Sequence, residues 1–255
     1  MYHCQRFLKY SFLLLFFMLN AASESSGQET PSADDRLAEV LEKVTPDLRR
    51  ELAAKDLGLG SPVFIRIFKL QKKLEVWLQQ NDRYRLFKTY PICSYSGYLG
   101  PKLREGDWQS PEGFYRVTPD RMNPRSSYHL SFNIGYPNDY DASLQRDGGD
   151  IMVHGGCSSK GCFAMSNHRM EEIYILAYFA FLNGQQAFDV HIFPFPVTDD
   201  NLSRFRFSPW IEFWKNLQQG FGEFEQNRRV PSISTDQGRY VIDESPLLAV
   251  SPQQQ

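Results

Sequence analysis

Residues Ile151-Met152-Val153-His154-Gly155-Gly156-Cys157-Ser158-Ser159-Lys160-Gly161-Cys162 hold the parts of a cysteine nucleophile in one short stretch. An apolar run ends in a histidine, two glycines follow, and a Gly-Cys closes the segment eight positions after the histidine. A reactive thiol needs a base within hydrogen-bond reach and main-chain N–H groups free to face a developing oxyanion. Glycines let the chain turn sharply and approach a substrate closely. Cys162 is therefore the candidate nucleophile and His154 the candidate proton donor and acceptor. The N–H groups of Gly161 and Cys162 are the candidate oxyanion donors. Ser159 is a candidate for orienting His154, with local turn capping as the alternative. Gly155, Gly156, Tyr98, Lys102 and Arg104 are candidate substrate contacts and Lys160 a candidate for lowering the thiol pKa by its charge, with a turn as the alternative for the glycines and a solvated loop face for the others.

These residues need a frame to hold them. A helix is expected through Leu37, Val40 and Leu41. From Pro62 the period becomes two: Val63, Ile65 and Ile67, then Leu74, Val76 and Leu78, read as paired strands about a turn at Gln71 to Lys73. Further strands are expected at Arg85 to Ile92, Phe114 to Val117, Tyr128 to Ile134 and Ile151 to His154. Gly97 to Gly113 reads as a long loop, and Gly135 to Asp139 as a turn. Beyond Cys162, Met170, Ile173, Tyr174, Ala177 and Phe181 mark a helix stopped by Gly184, with His168 at its start. Phe188, Val190 and Ile192 form a closing strand. Ser208-Pro209 reads as an N-cap and first helical residue ahead of Trp210, Phe213, Trp214 and Leu217. A terminal hairpin turns at Asp236-Gln237-Gly238.

The N-terminus predicts where the chemistry occurs. Arg6 and Lys9 precede an apolar run from Phe12 to Leu19, and Ala21, Ala22 and Ser23 follow, which is the layout of a secretory signal peptide. The run is short of the roughly 20 residues of a membrane-spanning helix. Export to the periplasm is expected, with an uncleaved N-terminal anchor as the only membrane alternative. A net charge of −2 without a long basic run argues against nucleic acid as a partner. Aromatic residues make up 15% of the chain, which suits a packed β-rich domain. Cys4 lies in the expected signal peptide, leaving Cys93, Cys157 and Cys162. An odd number in an exported chain leaves a free thiol or an intermolecular bridge. A simple arrangement has Cys93 and Cys157 paired, or merely close, and Cys162 free.

Ser159-Lys160-Gly161-Cys162, preceded by His154-Gly155, resembles the Ser/Thr-x-Gly-Cys nucleophile motif of the L,D-transpeptidase (YkuD) catalytic-domain family. Ser96-Gly97-Tyr98-Leu99-Gly100-Pro101-Lys102, Glu105-Gly106-Asp107 and Ser110-Pro111-Glu112-Gly113-Phe114-Tyr115 resemble its glycine-rich segment and Ser/Thr-Pro-x-Gly strand. Phe132-Asn133-Ile134-Gly135-Tyr136-Pro137-Asn138 and Gly161-Cys162-Phe163-Ala164-Met165 are similar to the YafK-like branch. The resemblance runs from about Ser61 to Tyr240. It implies a mainly β fold with flanking helices (α+β), a β-sandwich with a helix after the nucleophile loop. It implies peptidoglycan stem peptides as substrate and no cofactor or metal. Within this branch it points to hydrolysis of the meso-diaminopimelate–lysine bond to murein-bound lipoprotein.

The expected organisation is a signal peptide at 1–23, linker and helix at 24–60, the catalytic domain at 61–194, a helical and hairpin extension at 195–244, and a flexible tail at 245–255. Ala164 stands where many relatives carry Arg or Asn, and the His–Cys spacing is short for the family at large. Both features belong to the YafK-like branch and weigh against ordinary cross-linking. Alternatives are an L,D-transpeptidase that forms cross-links or attaches protein, a non-catalytic wall-binding module, and a metal-binding module using His154, Cys157, Cys162 and His168.

Overall fold

The computed structural model describes residues 33–243. The expected signal peptide, the first part of the linker and the C-terminal tail lie outside the described residues. Helix α1 (Ala33–Ala53) buries Val40, Val44, Leu48 and Leu52, one apolar residue every fourth position, which makes a single ridge along the helix. Three strands follow, β1 (Val63–Phe68), β2 (Lys73–Gln80) and β3 (Arg83–Pro91), then β4 (Gly113–Val117), β5 (Met122–Asn123) and β6 (Ser131–Asn133). After α2 (Asp139–Ser143) come β7 (Met152–His154), β8 (Phe163–Ala164), α3 (Asn167–Leu182) and β9 (Phe188–Phe193). Helices α4 (Asp199–Arg204) and α5 (Ile211–Asn227) precede the hairpin of β10 (Ser232–Asp236) and β11 (Arg239–Asp243).

The strands form a five-stranded sheet in the order β3-β2-β1-β9-β4, a four-stranded sheet β5-β6-β7-β8, and the hairpin. Strand β9 runs parallel to β1 and antiparallel to β4. This is the mainly β, α+β arrangement expected from sequence. Alternation along the large sheet sorts its residues onto two faces. Ile65, Ile67, Val117, Val190 and Ile192 join α1, α3 and Phe132, Val153 and Phe163 of the smaller sheet in the main core. Phe68, Phe114 and Phe193 pack instead on Trp214, Leu217 and Phe221 of α5 and on Tyr240. With both faces covered, β1 is buried along its whole length. Its one charge, Arg66, is neutralised by Glu75 and Glu225.

Several elements differ from the sequence expectation. Tyr128 to Leu130 lie in a loop, because His129 adopts φ +74, which no strand accommodates. The expected turn continues into α2, started by a reciprocal cap between Asn138 and Asp141. Ser208 and Pro209 do not begin α5: the helix starts at Ile211, and the Ser208 hydroxyl accepts from the Trp210 N–H at 3.2 Å. Gln237 (φ 44) and Gly238 (φ 71) supply the two left-handed positions of a tight hairpin turn.

Candidate active site

Strands β7 and β8 lie side by side and parallel, with Val153 opposite Phe163 and His154 opposite Ala164. Residues 155–162 alone connect them. Parallel neighbours are normally joined by about a dozen residues or more, so this loop doubles back tightly. Gly161 adopts φ +129, which residues with side chains rarely do, and a Cβ there would press on Ile151 Cδ1 at 3.1 Å. A Cβ on Gly155 would strike the Tyr128 carbonyl.

Bonds within and around the loop hold its shape. The Ser159 hydroxyl donates to the Cys162 carbonyl at 2.7 Å and accepts from the Gly161 N–H at 3.2 Å. The Ser110 hydroxyl donates to the same carbonyl at 3.3 Å. At the other end, the Gly156 N–H donates to Asn167 Oδ1, in the first turn of α3, at 2.8 Å. A Cys93–Cys157 disulfide, with Cα atoms 5.3 Å apart, ties the loop to the segment after β3.

Cys162 is the free cysteine among the described residues and is half-buried. Its sulfur accepts from the Met152 N–H at 3.4 Å and donates to the Asp150 carbonyl at 3.5 Å. Cys162 immediately precedes Phe163, the partner of Val153, and its sulfur sits at the start of β7, two residues before His154. Burial pushes the thiol above its ordinary 9.0, and the Asp150 charge adds to this against the Met152 N–H and the Lys102 charge. Burial pushes the His154 imidazole below 6.5, opposed by its bond to the Gly155 carbonyl. Both shifts favour an uncharged thiol beside an uncharged imidazole. The Gly155 carbonyl is an acceptor for Nδ1, which puts the imidazole proton there and leaves Nε2 free as a base. In this resting arrangement the thiol turns to Met152 and Asp150 rather than to His154.

The remaining candidates fall into two groups. Ser159 caps the loop's own main chain and does not reach His154, whose bonded partner is Gly155. Because Gly161 gives its N–H to Ser159, the Cys162 N–H is the freer oxyanion donor of the two. Lys102 is buried, paired with Asp107 at 2.6 Å and donating to the Arg104 carbonyl at 2.8 Å, so it braces the long loop rather than facing a substrate. Tyr98 is 87% exposed, and Gln109 pins its main chain from both sides. The exposed Lys160 lies over the Trp108 ring at 5.6 Å. A metal set loses Cys157, whose sulfur is committed to the disulfide. His168 stands in the first turn of α3, 3.3 Å from Glu172.

The sequence reading missed Tyr128, whose ring lies over the His154 imidazole, and Asn167. It also missed a fully buried ion pair beneath the long loop of residues 97–113, Lys69–Glu112 at 3.0 Å. Lys69 donates to the carbonyls of Gly100 and Ser110, and Glu112 accepts from Trp214 Nε1 at 2.7 Å. A lysine directly after a strand that is apolar except for Arg66 was the available signal, since such a residue stays buried only with a partner.

Fold and loop together define a class. The chain belongs to the L,D-transpeptidase (YkuD) family, whose L,D-transpeptidase catalytic domain it matches over residues 63–180. It is 43% identical over 186 residues to "Putative L,D-transpeptidase YafK" of Escherichia coli strain K12, covering 73% of this chain and 76% of that protein. The same figures hold for the protein of that name in Escherichia coli O157:H7. Among solved structures it is similar to the helical cell shape determining protein Pgp2 from Campylobacter jejuni, at 20% identity and TM-score 0.42 over 80% of each chain. It is also similar to Bdellovibrio bacteriovorus Bd1075, at 19% identity and TM-score 0.38 over 69% of this chain and 78% of that one.

Proposed function

We propose that this protein is an exported, cysteine-dependent acyl-transfer enzyme acting on peptidoglycan stem peptides in the periplasm. Its reaction is hydrolysis of the bond between meso-diaminopimelate and the lysine of a wall-bound lipoprotein. The observation that carries the reading is Cys162, a free thiol held against the first residue of β7, two residues before the buried His154, in a chain of this family. The disulfide beside it suits an oxidising compartment, as does the secretory layout of residues 1–23.

The thiol first turns from the Asp150 carbonyl towards His154. Nε2 takes its proton as Sγ attacks the carbonyl carbon on the L-centre of diaminopimelate. Main-chain N–H groups, that of Cys162 among them, face the oxyanion, and one well-placed donor is worth roughly 3 kcal/mol. The tetrahedral intermediate collapses by breaking the C–N bond, and the leaving lysine amine takes the proton from His154. This leaves a thioester on Cys162. His154 then deprotonates water, which attacks the thioester, and the same proton returns to the sulfur as the free carboxyl group departs.

Ala164 supports water over a second stem peptide as acceptor. It is fully buried, paired to His154 across the strands and bonded through its main chain to Ser94, so it offers an incoming peptide nothing. The test is incubation with sacculi carrying bound lipoprotein and, separately, with free muropeptides, followed by mass spectrometry. Lipoprotein released with an intact lysine amine is expected, and Cys162→Ala should release none. Cross-linked muropeptides without release would overturn the hydrolytic reading. Identical products from wild type and Cys162→Ala would overturn the nucleophile.

A further inference from the structure

A cavity of about 540 Å³ opens between β4, β9 and β10, on the face of the large sheet turned away from the main core. Arg116 and Asp189 lie on it, directly opposed on antiparallel strands. Opposite charges so placed ordinarily pair. Here Arg116 acts on the Asp189 carboxylate, yet among the described residues no ion pair closes between them. Burial also holds the Asp189 carboxyl above its ordinary range.

Three further polar groups converge on the same space. His191 is 1% exposed, lines the cavity and leaves its Nδ1 without a hydrogen-bond partner among the described residues. Arg121 reaches the cavity across Gly135, where any Cβ would collide with the guanidinium. Thr235 of β10 lies on the far wall. Buried polar groups in native proteins are almost always satisfied, and a space of this size matches those that hold small ligands. The orphaned His191 Nδ1 and the open Arg116–Asp189 couple around one cavity therefore describe the complement of a ligand. The carboxylate fits an ammonium group, and the two guanidinium groups fit a carboxylate, which Arg can bind through two parallel hydrogen bonds.

We propose that this cavity is a second binding site, for a small zwitterion of the amino-acid or dipeptide class. Asp189 takes the ammonium group, and Arg116 and Arg121 take the carboxylate. The site lies on the opposite face of the large sheet from the core that includes Phe163 of β8, so it does not depend on the reaction at Cys162.

Titration calorimetry of the full chain with alanyl-alanine tests this, alongside the N-acetylated and the C-amidated dipeptide. Saturable binding is expected with alanyl-alanine, weakened at least about tenfold by either modification. Asp189→Asn should weaken the parent dipeptide by a similar factor and make N-acetylation cost little more. Cys162→Ala should bind as wild type does. The proposal is overturned by absence of saturable binding, by full affinity of both modified dipeptides, or by binding that disappears in Cys162→Ala. Should Asp189→Asn fail to fold, the modified dipeptides on the wild-type chain decide alone.

Discussion

Tyr128 lays its ring across the imidazole of His154, with centroids 4.7 Å apart and planes tilted by 40°. Its loop is held from two helices. Arg36 of α1 donates to the carbonyls of Ser126 and His129 at 3.1 and 2.9 Å, and His129 meets Glu171 of α3 at 2.8 Å. Tyr128→Ala should therefore leave the fold intact but free the imidazole, lowering kcat/KM by roughly tenfold to a hundredfold. Tyr128→Phe keeps the ring and should retain most activity. Equal kinetics in all three proteins would show that the ring does not position His154.

The charge states set a pH profile. His154 must be neutral to act as a base, and burial lowers its pKa, so activity should rise with pH along a limb centred below 6.5. The thiol is shifted the other way, so alkylation of Cys162 by iodoacetamide should accelerate with a midpoint above 9.0. A midpoint well below that value would mean a preformed thiolate and refute the neutral resting pair.

The disulfide closes a sequence separation of 64 residues, which corresponds to about 4 kcal/mol in the chain-entropy description. Cys93→Ser with Cys157→Ser should lower unfolding stability by up to that amount in urea. Because Cys157 lies in the loop that ends at Cys162, activity should fall under conditions where the variant remains folded. Full activity in the folded double variant would make the bridge a matter of stability alone.

Breaking the buried pair beneath the long loop should be costly. Lys69→Met strands the Glu112 carboxylate, and Glu112→Gln strands the ammonium, each at about 3–5 kcal/mol. Lys69→Met combined with Glu112→Gln should recover part of the loss. Urea unfolding of the three variants measures it, and strictly additive losses would contradict the pairing.

His191 gives a stability effect of definite sign. Burial in a setting of Phe64, Phe114 and Phe193, near the Arg66 charge, lowers its pKa to about 3. Between about 3 and 6.5 the unfolded chain holds a proton on this residue that the folded chain refuses. Stability therefore falls as pH drops through that window, by up to roughly 5 kcal/mol at its lower end. His191→Gln should flatten the slope relative to wild type. Parallel curves for the two proteins would exclude His191 as the cause.

Long elements with one strong period were legible in the sequence. Of α1 only the start, through Leu37, Val40 and Leu41, was marked and not the ridge continuing to Leu52, whereas the strands β1 and β2 and the apolar positions of α3 carry enough residues to show it. Strand β8 does not: Phe163 and Ala164 are too few for alternation, and their pairing with β7 is visible only once the loop is folded. Helix α2 was hidden in its cap, since Asn138-x-x-Asp141 also suits a turn. At the site, residue type and spacing indicated Cys162 and His154. The chain could not show that Lys102 would be spent on Asp107, because a buried and a solvated lysine look alike in sequence. Tyr128 was equally hidden, since 26 residues separate it from His154 and no period links them.

The short connection between β7 and β8 has a consequence for how the site assembles. Closing a loop costs entropy that grows with the logarithm of its length, so bringing residues 154 and 162 together demands little of the unfolded chain. The expensive closures are those that follow: the bridge to Cys93, the seat on Ser110 and the grip of α1 on the wall beside His154. The two reactive groups can thus meet early while their surroundings arrive from distant parts of the chain. Damage to α1 or to the segment around Ser110 would then yield a protein with its reactive pair near one another but poorly aimed.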